Sequence, residues 1–253
     1  MDREAFLRTI SENPDDDGPR LVHADWFEEQ GQCDRAELVR IDCERYRLAE
    51  AGADERTKSK LARQADRLRA AHPEWFDELP EIAGVIWGPL ERGFVATIRV
   101  TSAVAFLRHA KRIFESAPIT NVWFDSLDED GTQLLAESPW LARLRLLKAH
   151  GSQIGDVALK RLVDSPQIAD VRRLFVTASG IGDAGARAIA RSINLGRLTT
   201  LFLNSNRIGN DGALALADSK RLPQLREVYL AGNDLLDAGI AAVRRRWGDN
   251  AHV

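Results

Sequence analysis

The stretch that decides the fold lies in the second half of the chain, where one pattern occurs four times. It reads LKAHGSQIGD at 147–156, LFVTASGIGD at 174–183, LFLNSNRIGN at 201–210 and VYLAGNDLLD at 228–237. The starting positions 147, 174, 201 and 228 define a constant 27-residue period. Three equal intervals with matching chemistry indicate an internal repeat, whose units stack because none can bury its apolar face alone.

Each repeat has the pattern of a strand, a turn and a helix. Leu201 and Leu203 alternate as in a half-buried strand, and AGARAIARSI at 184–193 has apolar residues at helical spacing. A sharp turn between strand and helix leaves main-chain groups unpaired, and a small polar side chain can satisfy them. The repeats share such a position, occupied by Ser152, Ser179, Asn206 and Asn233.

These residues resemble the leucine-rich-repeat pattern L-x-x-L-x-L-x-x-N-x-L. The 27-residue length and the Ile-Gly-Asp-x-Gly-Ala start of the helix are similar to the ribonuclease-inhibitor subclass. The resemblance covers about Leu144 to Arg246, and serine at two of the four polar positions departs from it. It implies a curved solenoid with parallel strands on the inner, concave face and helices outside.

Fainter copies of the strand pattern lie upstream, at Val122 with Phe124 and at Ile98 with Val100. Their spacing is irregular, which is common for the terminal units of a solenoid. We therefore expect about six strands, closed at the far end by a helix around 238–247. The predicted fold class is α/β, a short leucine-rich-repeat solenoid at 81–253 preceded by a small all-helical domain at 1–80.

The region 1–80 contains helix signals and no repeat. Asn13-Pro14 ends a first helix and Pro19 opens a second that ends at Gly31. Asp34 begins a third and Asp54 a fourth. Val22 and Trp26, four residues apart on the second helix, are expected to form its core seam. The fourth helix has many Arg and Lys residues on its outer face.

The stretch ENPDDDGPRLVHADWFEEQGQCDRAELVRIDCE at 12–44 resembles the repeat-companion domain that begins many large bacterial paralogues. Its run P-D-D-x-x-R-L-x-x-A-D-W is long and unusual. Such domains often precede leucine-rich repeats. The resemblance therefore implies an architecture and a bacterial source, and it implies no activity.

The composition excludes several classes of function. A net charge of −3 and a pI near 6.0 give no bulk attraction to nucleic acid or to an acidic membrane. The N-terminus lacks the pattern of an export signal, and no apolar run is long enough to cross a bilayer. Two cysteines without metal-ligand spacing indicate reduced thiols, so we expect a cytoplasmic protein with no cofactor.

The acidic residues of the first domain are the alternative candidates for chemistry. Asp15–Asp17 with Asp25 could form a divalent-metal site, and His23 and Asp25 with Cys33 or Cys43 could form the nucleophilic centre of a hydrolase. No calcium-loop spacing and no oxyanion-hole motif accompany them. We interpret them as structural, with the first three acids favouring a helix N-terminus and Asp25 pairing with an arginine.

The residue between the two apolar positions of each strand faces the opposite side of the sheet. We predict that these residues form a partner-binding surface, with neighbouring outward residues beside them. The central positions are Arg99, Trp123, Lys148, Phe175, Phe202 and Tyr229. The neighbouring positions include His150, Arg173, Asn204 and Glu227.

Aromatic residues rimmed by arginine and polar groups are typical of protein-binding hot spots. The sequence therefore predicts a non-catalytic adaptor whose partner is another protein, for example one encoded nearby. Two structural alternatives are that the N-terminal helices cover the stripe or that the rings only stiffen the sheet. The functional alternative is an enzyme accessory or hydrolase using the acidic, His and Arg residues of the first domain.

Overall fold

The computed structural model describes residues 3–52 and 54–253. Four helices come first: α1 (Arg3–Glu12), α2 (Gly18–Glu29), α3 (Cys33–Glu50) and α4 (Glu55–Ala71). Four short strands follow: β1 (Val85–Trp87), β2 (Leu90–Glu91), β3 (Phe94–Val95) and β4 (Thr97–Ser102). From there helices and strands alternate: α5 (Ala103–Ser116), β5 (Asn121–Ser126), α6 (Glu129–Glu137), β6 (Leu146–His150), α7 (Gly155–Asp164), β7 (Arg173–Thr177), α8 (Asp183–Arg191), β8 (Thr200–Phe202), α9 (Asn210–Asp218), β9 (Glu227–Tyr229), α10 (Asp237–Trp247) and β10 (Ala251–His252).

Single turns of 3-10 helix connect some of these elements, at Pro73–Phe76, Pro139–Arg143, Pro166–Ile168 and Gly248–Asn250. The chain divides into two compact units. The first contains the residues up to Ile82, with Trp87–Ile98 and Lys111–Thr120, and the second contains Ala83–Ile86, Arg99–Ala110 and Asn121–Val253.

The main sheet has eight strands in the order β1-β4-β5-β6-β7-β8-β9-β10. The repeat positions pair directly, since Leu174 lies opposite Leu147 and Leu201, and β5 to β10 are all parallel. The expectation of about six strands was too low, because β1 and β10 are strands of three and two residues without a repeat pattern. The fold is therefore α/β with a mostly parallel sheet.

The predicted polar ladder at the turns is confirmed at Asn206. Its Oδ1 accepts hydrogen bonds from the main-chain N–H groups of Ser179 at 2.9 Å and Ile181 at 3.1 Å, in the preceding repeat. Its Nδ2 donates to the carbonyl oxygens of Val176 at 2.7 Å and Leu203 at 2.9 Å. The amide therefore joins two successive repeats by satisfying buried main-chain groups in both.

A second ladder joins the helices. The carboxylate of Asp183, in the first turn of α8, accepts from Gly209 N–H at 2.7 Å and Gly212 N–H at 2.9 Å, at the start of α9. Asn210 repeats the arrangement one unit later, accepting from the N–H groups that begin α10. Each side chain thus supplies acceptors to the unpaired N–H groups of the next helix.

At the far end, Arg246 lies at the repeat position that serine occupies in earlier units. Ser219, which holds that position in the preceding repeat, donates from Oγ to a single carbonyl oxygen of the repeat before it. The guanidinium of Arg246 instead donates to four main-chain carbonyl oxygens between Leu216 and Leu222. The neighbouring Trp247 is 8% exposed and donates from Nε1 to the Leu225 carbonyl, so α10 covers the last repeat as expected.

The first unit has a core that the helices do not build alone. Phe94, in the two-stranded hairpin of β2 and β3, packs with buried residues of α1, α2 and α3. On α2 the buried face contains Arg20, His23 and Phe27, whereas Val22 is 52% exposed. The expectation that Val22 packs in the core seam was therefore wrong, although Trp26 does lie against the core.

Candidate interaction surface

The predicted stripe of rings exists and is longer than expected. Phe175 and Phe202 stack with centroids 4.1 Å apart, and Phe202 and Tyr229 stack at 3.9 Å. His252, from β10, continues the stack at 4.0 Å from Tyr229. The planes of successive rings differ by at most 10°. We call these four residues the ring ladder.

The strand register produces this stack. Phe175 lies opposite Phe202, Phe202 opposite Tyr229, and Tyr229 opposite His252. The flanking positions Leu201 and Val228 are fully buried on the helix side, so strand alternation turns the rings to the side away from the helices. We call that side, which is opposite to the helices of the repeats themselves, the helix-free face of the sheet.

The ring faces cover each other, so mainly the ring edges are open to a partner. Phe175, Phe202 and Tyr229 are each half-buried, while His252 at the end of the ladder is exposed. A base or a sugar ring that binds by stacking needs a free aromatic face. The interior of the ladder offers no such face, whereas its edges form an apolar band suited to side chains.

The N-terminal part of the stripe has a different chemistry. Lys148 places its Nζ 4.2 Å from the centroid of the Trp123 ring, and Trp123 is 40% exposed. Arg99, at the next position, forms an ion pair with Asp125. The sequence did not indicate Asp125, which lies two residues after Trp123 and therefore on the same face.

The predicted neighbouring residues fall into two groups. Arg173 and His150 are exposed. Asn204 and Glu227 are half-buried and already hydrogen-bonded within the sheet, since Asn204 Oδ1 accepts from the Ala231 N–H at 3.1 Å and Glu227 accepts from a neighbouring hydroxyl. Among these four residues, the side chains that project into solvent are therefore those of Arg173 and His150.

His252 is the ladder residue that sequence reasoning missed. It follows Tyr229 at an interval shorter than the 27-residue period, and its strand has two residues. The available signal was the end of a helix at Gly248, followed by a short Ala-His-Val sequence. That signal is too weak to predict a strand, and only the pairing of Ala251 with Val228 reveals it.

The alternative candidates for chemistry do not form a common site. Asp17 binds Arg92 at 2.9 Å and Asp25 binds Arg40 at 2.7 Å, so the two carboxylates serve different ion pairs. His23 is 1% exposed, with its ring centroid 4.4 Å from that of Phe27 in an aromatic cluster. Asp15 and Asp16 are exposed.

The cysteines differ in environment as well. Cys33 is exposed, whereas Cys43 is buried, and burial together with the nearby Asp17 raises the pKa of its thiol to about 12. At neutral pH Cys43 therefore stays protonated and is a poor nucleophile. In the part of the chain that the structure describes, no three His, Cys, Asp or Glu side chains come together to hold a metal ion.

Across residues 3–52 and 54–253, no helix has both the length and the apolar character that crossing a membrane requires. No curated protein matches the chain. Residues 198–217 match the family described as Leucine Rich repeat. That segment contains β8, the turn at Asn206 and most of α9, which together make one strand–turn–helix unit. The match and the parallel sheet built from such units support a leucine-rich-repeat protein.

Proposed function

We propose that this protein is a non-catalytic interaction module, or adaptor, which binds a protein partner through the helix-free face of its repeats. The observation that supports the proposal best is the ring ladder, four stacked rings across neighbouring strands. Large planar side chains give much contact area at low cost in conformational entropy, which is why they dominate binding hot spots.

The surroundings of the ladder favour a protein over other partners. The half-buried rings offer apolar edges, and the exposed Arg173 and His150 offer charge and hydrogen bonds beside them. An apolar centre with a polar rim is the usual anatomy of a protein interface. The remaining predicted residues, Arg99, Trp123 and Lys148, would extend the same surface towards the N-terminal strands.

The finer parts of the proposal depend on the sequence resemblances. A curved solenoid would make the helix-free face concave and let it enclose part of a partner. The motif at 12–44 supports a bacterial protein with an N-terminal repeat-companion domain, and a partner encoded nearby fits that architecture. A cytoplasmic location agrees with the two unpaired cysteines.

A variant that removes ladder rings tests the proposal. The ladder variant replaces Phe202 and Tyr229 with Ser and so removes two central rings. The control variant replaces Val157 and Ile193, which are 58% and 74% exposed, with Ser and so removes apolar area elsewhere. Both variants and the wild type are used for affinity purification from the native host with quantitative mass spectrometry. We expect one protein that the wild type and the Val157/Ile193 control capture equally and the ladder variant loses.

Circular dichroism and equilibrium unfolding establish that each variant is folded. If the Ser variant is unstable, Phe202→Leu with Tyr229→Leu keeps apolar bulk while it removes the planar rings. Equal capture by the ladder variant and the control would refute the proposal and leave the rings a purely structural role. If single-stranded RNA gave a gel shift at low salt and the ladder variant did not, the partner of this surface would be a nucleic acid rather than a protein.

A further inference from the structure

The first unit has a second surface with a different chemistry, on helix α4. That helix contains six arginines and lysines and only two acids. Lys58 pairs with Glu55 at 2.5 Å, and Arg69 pairs with Asp42 at 2.5 Å and Asp66 at 3.0 Å. The other four cations make no such ion pair with the described residues and form a separate surface.

These four residues lie on one face of α4. They are exposed, and among the described residues none of them is paired with a carboxylate: Arg56, Lys60, Arg63 and Arg67. Spacings of four, three and four residues place side chains on one side of a helix. With a rise of 1.5 Å per residue, the row extends over roughly 16 Å. We call it the cationic row.

A groove runs beside the row, between α3 and α4. The volume of the groove, including the part open to solvent, is about 770 Å³. Its lining is Arg45, Tyr46 and Ala49 from α3 with Glu55, Lys58, Ser59 and Ala62 from α4. Ser59, in the lining of the groove, lies three residues after Arg56 and four before Arg63, so these three side chains share one side of α4 and the groove borders the row there.

We propose that the cationic row and the α3–α4 groove together bind an acidic amphipathic helix of a partner protein. Carboxylates at helical spacing on the partner match the four cations one to one, as in the charge pairs between neighbouring helices. Small apolar residues of the partner pack on Ala49 and Ala62, the mode in which an amphipathic helix enters a groove.

Two observations favour a protein helix over other anionic partners. The guanidinium of Arg92 covers one face of the Tyr46 ring, 4.6 Å from its centroid, so the aromatic ring that lines the groove has only one face left for a nucleic-acid base. The inner side of α4 is packed, with Ala65 fully buried, so the helix has no exposed apolar face to insert into a lipid surface.

The test uses the full-length protein and a labelled synthetic helical peptide of about 18 residues, or five turns. The peptide carries glutamate at the spacing of the cationic row and alanine on the adjacent face, and a matched peptide has glutamine for glutamate. Fluorescence anisotropy measures both affinities. We expect the glutamate peptide to bind more tightly, with an affinity that falls as salt rises towards roughly 0.15 M.

Two protein variants have the same change in net charge. Replacing Arg56, Lys60, Arg63 and Arg67 with Gln should lower the affinity about tenfold, since four exposed ion pairs contribute modestly each. The control variant replaces four exposed cations of the second unit with Gln, and it should bind like the wild type: Arg191, Lys220, Arg221 and Arg244. The exchange Ala49→Glu, at an exposed position in the groove, should weaken binding as well.

If both glutamine variants lost affinity for the peptide equally, the proposal would be overturned, because the net charge of the protein alone would explain the loss. Unchanged binding by Ala49→Glu would exclude the groove. Row-dependent binding of duplex DNA or of phosphatidylserine vesicles, tighter than that of the peptide, would also overturn it. The outcome is separate from that for the ring ladder, since the Phe202/Tyr229 variant should bind the acidic peptide normally.

Discussion

A substitution at Gly212 tests whether the hydrogen bonds between Asp183 and the start of the next helix hold the repeats together. A Cβ at this position would lie 2.6 Å from Asp183 Oδ1, 2.8 Å from Ile208 Cγ2 and 2.9 Å from Ala186 Cβ. Gly212→Ala must therefore displace the carboxylate that accepts the Gly209 and Gly212 N–H groups. In an open helix the same exchange would stabilise the protein by about 1 kcal/mol.

The expected change in the free energy of unfolding follows from two destabilising contributions and one stabilising contribution. Weakening the hydrogen bonds to a charged acceptor costs about 1.5–3 kcal/mol, and overpacking against Ile208 and Ala186 costs about 1–3 kcal/mol. Helix propensity returns about 1 kcal/mol. The net loss in free energy of unfolding is therefore about 3 kcal/mol, which lowers the Tm by roughly 6–12 °C for a chain of this size.

Urea unfolding followed by circular dichroism measures this change, and the chain offers matched controls. Gly196→Ala adds the same methyl group where no atom lies within 4 Å, so its effect should stay within about 0.5 kcal/mol. Asp183→Asn keeps the acceptor oxygen that Asn210 uses one repeat later and should cost about 1 kcal/mol or less. Asp183→Ala leaves two N–H groups without that acceptor and should cost about 2 kcal/mol.

The reasoning would be refuted if Gly212→Ala unfolded at the same urea concentration as the wild type. It would be equally wrong if Asp183→Asn destabilised the protein as much as Asp183→Ala. In that case the charge of the carboxylate, rather than its position as an acceptor, would stabilise the helix start.

Two further predictions concern residues that follow or end a helix, His72 after α4 and Arg246 in α10. Hydrogen bonds to Glu74 and then to Asp34 raise the pKa of His72, so its stabilising contribution is complete below about pH 6.5 and is lost as the pH rises through the raised pKa. Urea unfolding should therefore show a larger deficit of His72→Gln at about pH 5.5 than at about pH 8.5, and a constant deficit would contradict the assignment. Arg246→Ala should cost about 2 kcal/mol by removing its hydrogen bonds to carbonyl oxygens. Arg246→Lys should restore only part of this, because an ammonium lacks the planar fork, and full restoration in thermal unfolding would argue against that role.

The repeat strands could be predicted from the sequence because their signal is periodic. Leu174, Leu201 and Val228 are all fully buried, at equal intervals, and the residue after each one contributes a ring to the ladder. Alternation in a strand then leaves a single choice of face. The proximity of these rings follows from the same period and needs no further information.

Features without a period could not be predicted in this way. The strand that contains His252 has two residues, and its only support is the neighbouring strand. On α2, Val22 is exposed while Arg20 and His23 are buried, although apolar residues are the ones expected inside. Local hydrophobicity cannot show that Arg20 is held by the carbonyl oxygen of Asp16, which is a property of the folded chain.

The residues that form the hydrogen bonds between repeats recur with the repeat period, but their partners cannot be deduced from the local sequence. Asp183 and Asn210 occupy the same position in successive repeats, and each belongs to the first turn of its own helix. From the sequence, each side chain would be assigned to the N-terminus of that same helix. The structure shows that it instead caps the following helix, which is possible only after the repeats have stacked.

Stability and the proposed binding surface depend on the same register. The ring spacings of the ladder, 3.9–4.1 Å, are shorter than the strand spacing of about 4.8 Å, so the rings lean towards one another. A slip of one residue would turn them into the core, and the bonds of Asp183 and Asn206 between repeats oppose such a slip. Because the faces of the stacked rings cover one another, the ladder presents mainly apolar ring edges, which provide contact area rather than discrimination. In the proposed function, specificity for a partner would come from positions beside the rings that differ between repeats, such as Arg173 and Glu227 at equivalent places two strands apart.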